Sequence, residues 1–468
     1  MTLHLQDTLS GETRPLEPIE PGHVRIYSCG PTVYGPTHIG NFRSFLFADL
    51  LVRYLRYQGL RVTWVMNITD IDDRIIERAN AAGETTAELT DRWLARFKAD
   101  FAAVRMTTPD VLPRATDHID AMAELIAQML ETGNAYRTED GSIFFRISSW
   151  PAYGRLSRLD ATQLRVGERV VADDYGKDDV RDFALWKGPK PGEPSWDTAV
   201  GPGRPGWHIE CSAMSMRHLG ASFDIHTGGI DLIFPHHEDE IAQSEAVTGQ
   251  TFVRTWLHCD HLRLGGTKMA RRVGNIARVA DLLEDGVSPR ALRYALISVN
   301  YRQALEYSEA SIEAATAAVS RLDALVAALE GYREDRADAP DLPAELAAAK
   351  SGFEAALDDD LNISAALAAL FDLVRALNRR IADRSLSSAD AARALTFLSE
   401  LDTVLGVLPD AADDLPPVAQ ELLDARVAAR AARDFAASDR LRDELAALGV
   451  SVEDTRDGQR WRRLEAVR

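Results

Sequence analysis

The sequence predicts an α/β protein. A parallel sheet with covering helices is interrupted by an inserted segment, and a helical bundle and a small α+β unit follow. Three observations predict this. Two apolar strand patterns, Val24–Tyr27 and Val62–Met66, bracket an amphipathic helical pattern, which makes a β-α-β unit. Residues 112–200 are mixed in character and punctuated by Pro and Gly, whereas 201–306 return to the α/β pattern. From Tyr307 to about Leu408 the chain is Ala-rich with helical periodicity, and its last stretch, 418–468, mixes helix and strand signals.

Each element has a local reason. Phe42, Phe45, Leu46, Leu50, Val52 and Leu55 recur along one helix that stops at Gly59. A nucleotide is expected beyond the strand ends of such a unit. In the bundle, Ile312, Ala315, Val319, Leu322 and Leu325 mark one helix. Ile363, Leu367, Leu370, Leu373, Val374 and Leu377 mark another, and Ser387 or Ser388 suits the cap of a further one. Proline-containing linkers at Asp338–Pro343 and Pro409–Pro417 separate the pieces. The expected division is therefore 1–111 with 201–306 as the α/β unit, 112–200 inserted in it, 307–408 as the bundle and 418–468 as the terminal unit.

A length of 468 residues suits about three domains. Three cysteines give no disulfide framework and fit a reducing compartment, so a cytoplasmic protein is expected, with no membrane association and no basic-then-apolar leader. The formal charge of −19 excludes a generally basic surface and leaves room for local basic patches. The stretch from Arg426 onward is such a region. It has ten arginines against eight acids, Arg426, Arg430 and Arg433 at helical spacing, Phe435, a Gly449–Val452 strand, an Asp457-Gly458 turn and Trp461-Arg462-Arg463. Arginines beside aromatics suit unpaired bases; a solvated helix face with an apolar plug fits the same residues.

Three constellations carry chemistry. Pro36-Thr37-His38-Ile39-Gly40-Asn41 opens the first helix, where backbone N–H groups, the helix dipole and His38 offer donors to phosphate and Gly40 permits close approach. Lys268-Met269-Ala270-Arg271-Arg272 follows Gly265-Gly266-Thr267. The chain has only six lysines among 53 basic residues, so a lysine kept at 268 is informative. Cys29, Cys211, His236 and Glu240 supply two thiols, an imidazole and a carboxylate, a reasonable tetrahedral zinc set. On a helix begun by Pro235, His236 and Glu240 share a face, and His237 is an alternative ligand. Cys259 reads as a packing residue.

The first two segments resemble the paired ATP signatures of class I aminoacyl-tRNA synthetases. The second departs from that pattern, with Ala270, Arg271 and Arg272 where the family has Ser, Lys and Ser. More closely, the chain resembles the cysteinyl-tRNA synthetases from about Val24 to Trp461. The resemblance is carried by Cys29–Tyr34, His38–Asn41, Asn67–Asp73, Gly203–Ser212 and Gly228–Glu238. It implies a Rossmann-like class I catalytic domain with a connective insertion, an anticodon-binding bundle and a C-terminal anticodon-recognition domain. It implies activation of L-cysteine with ATP and Mg2+ and transfer to tRNA(Cys). One Zn2+ per chain, on Cys29, Cys211, His236 and Glu240, would bind the substrate thiolate, since a size filter alone separates Cys from Ser by only about 1–3 kcal/mol. His38, Asn41, Lys268 and Arg271 are then the catalytic set, with Gly40, Asp231, Lys268 and Arg271 on the nucleotide. Thr69, Trp207 and Asp231 look like substrate contacts, Asp231 facing either the α-ammonium or the ribose. A monomer is expected. Two other readings share parts of this site: a cysteine ligase acting on an amino-sugar, as in mycothiol-type biosynthesis, and a tRNA-binding paralogue with weakened chemistry.

Overall fold

A computed structural model describes residues 2–158, 179, 181–269, 276–409, 417–448, 450–455 and 458–463. The apolar run predicted at Val24–Tyr27 is strand β1 (His23–Ser28), followed by helix α1 (Ile39–Tyr57) and strand β2 (Arg61–Met66). Later come α2 (Trp207–Leu219), β3 (Phe223–Gly229), α3 (Glu238–Thr248) and β4 (Val253–Cys259). The four strands form one parallel sheet in the order β4-β3-β1-β2, with Tyr27 paired to Val65 on one side and His226 on the other. The expected α/β class is the one observed. The chain leaves β1 toward β2 and returns on the opposite side as β3, so the crevice between β1 and β3 is a switch point at the C-terminal edge.

Helix α1 is the pillar of the molecule. Phe42, Leu46, Leu50, Leu51 and Leu55 are buried, and so are the polar Arg43 and Asp49. A helix buried on all sides must be covered by two layers. The sheet covers one face of α1, and the bundle covers the other. One apolar core runs from Ile26 and Trp64 through α1 to Leu322, Leu370 and Leu405.

Between β2 and α2 lies a five-stranded antiparallel sheet, ordered Ala135–Arg137, Ile143–Phe145, Phe183–Lys187, Gly201–Pro205, Trp196–Thr198. Gly206 passes from it into α2, and a Cβ there would sit 2.0 Å from the Ala184 carbonyl oxygen, so only glycine fits. The bundle comprises α4 (Pro289–Ile297), α5 (Glu309–Glu330), α6 (Leu342–Asp358), α7 (Ile363–Ala382) and α8 (Ser388–Leu405). Ser387, one of the two expected caps, accepts a 3.0 Å bond from Asp390 N while Asp390 bonds back to the Ser387 N–H.

The C-terminal unit pairs α9 (Pro417–Ala431) and α10 (Phe435–Ala447) with an antiparallel hairpin, β5 (Val450–Thr455) and β6 (Gly458–Arg463), around Leu423, Leu445, Val450 and Val452. The outward arginine stripe expected here is corrected in part. Arg426 is buried and donates to both Asp454 oxygens at 3.0 Å, and Arg430 reaches the same carboxylate at 2.8 Å. Phe435 is exposed. Asp457 and Gly449 lie outside the described residues. Among those described, no helix is long and apolar enough to cross a membrane.

Candidate metal and nucleotide site

The sheet's C-terminal edge gathers the predicted residues. Cys29 leaves the end of β1, and its N–H donates to Thr227 O on β3 at 3.2 Å. Cys211 sits in α2. The segment Ile233–Glu240 departs from the expected helix begun by Pro235. Phe234 is extended (φ −137°, ψ 133°), Ile233–His237 form a wide turn, and the regular helix α3 starts at Glu238. His236 and Glu240 nevertheless converge, with Nε2 and Oε1 3.2 Å apart. Cys29 Sγ lies 3.9 Å from Cys211 Sγ and 3.9 Å from Glu240 Oε1.

Two donor sets share these atoms. One is Cys29, Cys211, His236 and Glu240; the other is Cys29, His226, His237 and Glu240, and in each set all ligand atoms lie within 4.8 Å of one another. His237 Nε2 is 3.3 Å from Cys29 Sγ, while its Nδ1 is held 2.8 Å from His258 Nε2. His226 Nε2 is 3.0 Å from the second Glu240 oxygen. On the other flank His208 Nδ1 lies 2.9 Å from His236 Nδ1, and Trp207 stacks on His236 at 4.2 Å while staying 38 % exposed.

Burial dominates the electrostatics. It pushes the Cys29 thiol well up, with Cys211 and Glu240 adding to the rise, and it raises the Glu240 carboxyl. It pulls His236 and His237 well down, and His208, His226 and His258 to about 3. For Cys29, Glu240 and these histidines burial thus favours the neutral form.

Behind this cluster Thr69 Oγ1 donates to Glu210 Oε2 at 2.9 Å and accepts from Asn67 Nδ2 at 3.2 Å, and Asn67 Oδ1 accepts from Gly30 N at 2.8 Å. Thr69 is thus aimed by a relay. His226 and His258 escaped the sequence reading, and His208 and Glu210 were given no role in it although they lie in the Gly203–Ser212 block. The only sequence signal at His226 and His258 was a polar residue within an apolar strand pattern.

The nucleotide candidates meet beside it. His38 precedes α1 as its N-terminal flank and bridges to Arg278, and Ile39 N donates to Ala277 O at 2.9 Å. A Cβ on Gly40 would lie 2.9 Å from His38 Nδ1 and 3.7 Å from Met269 Cβ, so the helix start and the lysine loop are neighbours. Asn41 is exposed in the first turn. Lys268 Nζ is 2.9 Å from Asp231 Oδ2. Burial alone would raise the Asp231 carboxyl, but the Lys268 ammonium outweighs it and holds the carboxyl low. Ala270, Arg271 and Arg272 lie outside the described residues. Cys259 is buried, as a packing residue should be.

Residues 15–317 match the family model described as tRNA synthetases class I (C) catalytic domain. Residues 352–409 match a DALR domain, and 412–462 a cysteinyl-tRNA ligase anticodon binding domain. The cysteine–tRNA ligase of Symbiobacterium thermophilum is 46% identical over 99% of this chain and 100% of its own length. That of Koribacter versatilis is 43% identical with the same coverage. The fold is similar to Mycobacterium tuberculosis methionyl-tRNA synthetase in complex with methionyl-adenylate, with TM-score 0.58 and 18% identity over 82% of this chain and 89% of that one. It is also similar to the LeuRS–tRNA–LeuAMS ternary complex of Agrobacterium radiobacter K84, with TM-score 0.61 and 11% identity over 84% and 85%.

Proposed function

The chain belongs to the cysteine–tRNA ligase family, class I synthetases that activate cysteine with ATP and charge tRNA with it, and on that premise we propose how its residues divide the work. Cys29, Cys211, His236 and Glu240 hold one zinc ion. The observation carrying this reading is the convergence of two unbridged thiols with an imidazole and a carboxylate. Zn–S bonds of about 2.3 Å and Zn–N or Zn–O bonds of about 2.0–2.1 Å place tetrahedral ligand atoms roughly 3.4–3.8 Å apart. The separations here, 3.9, 3.9 and 3.2 Å, need shifts of only a few tenths of an ångström, a rough figure set by the same bond lengths. When bound, zinc supplies a soft Lewis acid that prefers a thiolate to an alcohol, which sorts cysteine from serine. Its charge would also reverse the upward shifts of Cys29 and Glu240, since ionised ligands then face a dication.

The other residues position and stabilise. Thr69, aimed by Glu210 and Asn67, offers a fixed hydroxyl to the amino acid, and Trp207 covers the site from solvent. His38, the side chain of Asn41 and the positive end of the α1 dipole face the phosphates; the expected backbone donors are in part already used, since the Ile39 and Asn41 N–H groups donate to Ala277 O and His38 O, each at 2.9 Å. Gly40 leaves room for the phosphates. Lys268 and Arg271 neutralise the departing pyrophosphate as the carboxylate attacks the α-phosphate. Asp231, bonded to Lys268, holds that lysine at the nucleotide edge. The catalytic and C-terminal matches together favour tRNA over an amino-sugar as acceptor.

Cysteine-dependent exchange of pyrophosphate into ATP, with elemental analysis, tests the reading. One zinc per chain and negligible exchange with serine are expected; full activity from zinc-free protein removes it. Lys268→Ala is expected to lower kcat for exchange by about a hundredfold, roughly 2.7 kcal/mol, with little change in KM for ATP. Wild-type kinetics in that variant would remove Lys268 from activation and leave Arg271 as the loop's candidate.

A further inference from the structure

We propose that Tyr34, Arg74 and Arg78 form a contact surface for the phosphates of the unpaired acceptor end of tRNA. The inference rests on the tRNA-charging reading of the adjoining site. Helix Asp73–Ala82 begins directly after the segment that carries Asn67 and Thr69, and Asp72 caps it by accepting from Arg74 N at 2.8 Å. Arg74 and Arg78 stand four residues apart on its exposed side. Both guanidinium groups lie over the ring of Tyr34, at 5.7 and 4.8 Å, and Arg78 also donates to Tyr34 O at 3.2 Å. Tyr34 in turn follows Thr32, which bridges to Thr69, and precedes His38. The cluster therefore stands on the rim between the amino-acid side and the nucleotide side.

The charge is what singles it out. Acids outnumber bases 72 to 53 in this chain, and neighbouring guanidinium groups are ion-paired. Arg92 is paired with Glu84, Arg114 with Asp70 and Asp91, and Arg204 with Asp73 and Glu193. Among the described residues, Arg74 and Arg78 have no carboxylate within ion-pair distance, although the Asp72 carboxylate acts on Arg74 from further away; an aromatic face holds both. Cation–π contact fixes the two planar forks without neutralising them, so little side-chain freedom is lost when a phosphate binds. The amino acid is transferred to the terminal ribose of tRNA. The last nucleotides must therefore cross this rim to reach the adenylate, and a polyanion is the partner whose charge matches it.

The test uses the full chain with Arg74→Ala and Arg78→Ala combined. Cysteine-dependent pyrophosphate exchange should stay within about twofold of wild type, while KM for tRNA in aminoacylation rises about tenfold. The slope of log affinity against log salt should flatten by roughly 1.4, about 0.7 for each single-strand phosphate that is no longer neutralised. Tyr34→Phe, which keeps the aromatic face, should retain tRNA affinity; Tyr34→Leu should lose part of it. An unchanged tRNA KM and salt slope would overturn the proposal. A raised KM for ATP in exchange, with no added loss on tRNA, would assign the arginines to ATP instead. Failure of the wild type to exchange with cysteine would strike the functional reading itself; filter binding of tRNA to wild type and double variant then still decides the surface.

Discussion

Cys211→Ser is expected to lose the bound metal and at least about three orders of magnitude in kcat/KM for cysteine, roughly 4 kcal/mol. A serine hydroxyl stays protonated where a thiol ionises, and oxygen is the harder donor, so three protein ligands remain instead of four. The loss falls on both binding and chemistry, because a substrate thiol without its metal is judged by size alone. The two overlapping donor sets make the histidines the discriminating positions. His236→Ala should release the metal, whereas His237→Ala, which removes a ring packed 5.0 Å from His258, should weaken it about ten- to a hundredfold, as loss of an orienting neighbour does. The reverse order, read by elemental analysis and exchange on the same samples, would move the site to Cys29, His226, His237 and Glu240. A metal-free Cys211→Ser protein with wild-type exchange would end the zinc reading altogether.

Asp49→Ala is expected to destabilise the catalytic unit by about 3–5 kcal/mol, the cost of stranding a buried charge. Asp49 and Arg293 are both fully buried, with Oδ2 and Nη2 2.7 Å apart. Asp49 also accepts from Arg53 Nε and from Thr107 N, at 2.9 and 2.7 Å. Arg293 spends its remaining donors on Leu405 O, Val104 O and Arg105 O. Burial pulls its guanidinium below the usual value, with Asp49 opposing that shift most, so removing Asp49 leaves a buried cation whose remaining hydrogen-bond acceptors are carbonyls, with Asp402 acting only from further away. Replacing both partners by apolar residues, Asp49→Leu with Arg293→Met, should recover most of the loss. Urea unfolding measures both; a loss under about 1 kcal/mol in the single variant would mean that the pair is not the tie it resembles.

The β-α-β unit was legible because its strands are apolar runs and its helix is densely apolar. The order of the sheet was not. β3 reads Phe223-Asp224-Ile225-His226-Thr227-Gly228-Gly229, and its polar residues are buried for reasons that only the assembled site supplies. Asp224, for example, accepts from Arg25 N and Ile19 N, and His226 faces Glu240. The proposed ligand set came from residue type and family resemblance, since spacing across two hundred residues carries no geometry; the structure brings those four residues together, and Cys29, His226, His237 and Glu240 as well. His226 and His258 were invisible for the same reason, whereas His237 was legible only as an alternative to His236. Helical spacing placed Arg426 on the stripe of α9, but spacing alone cannot show that Arg426 turns inward to Asp454, on the strand that continues the expected Gly449–Val452 run.

The position of β1 inside the sheet has a bearing on synthesis. Cys29 emerges from the ribosome early, but Glu240, 211 residues later, is needed before the two can face each other. At roughly 5–20 residues per second that interval is on the order of 10–40 s. During it the thiol and the flank of β1 that β3 will cover are both unguarded. A nascent chain of this protein is therefore most open to oxidants, stray soft metals and strand-pairing errors before its residue 240 is made, and ribosome pausing ahead of that point should lower the yield of active enzyme more than pausing after it.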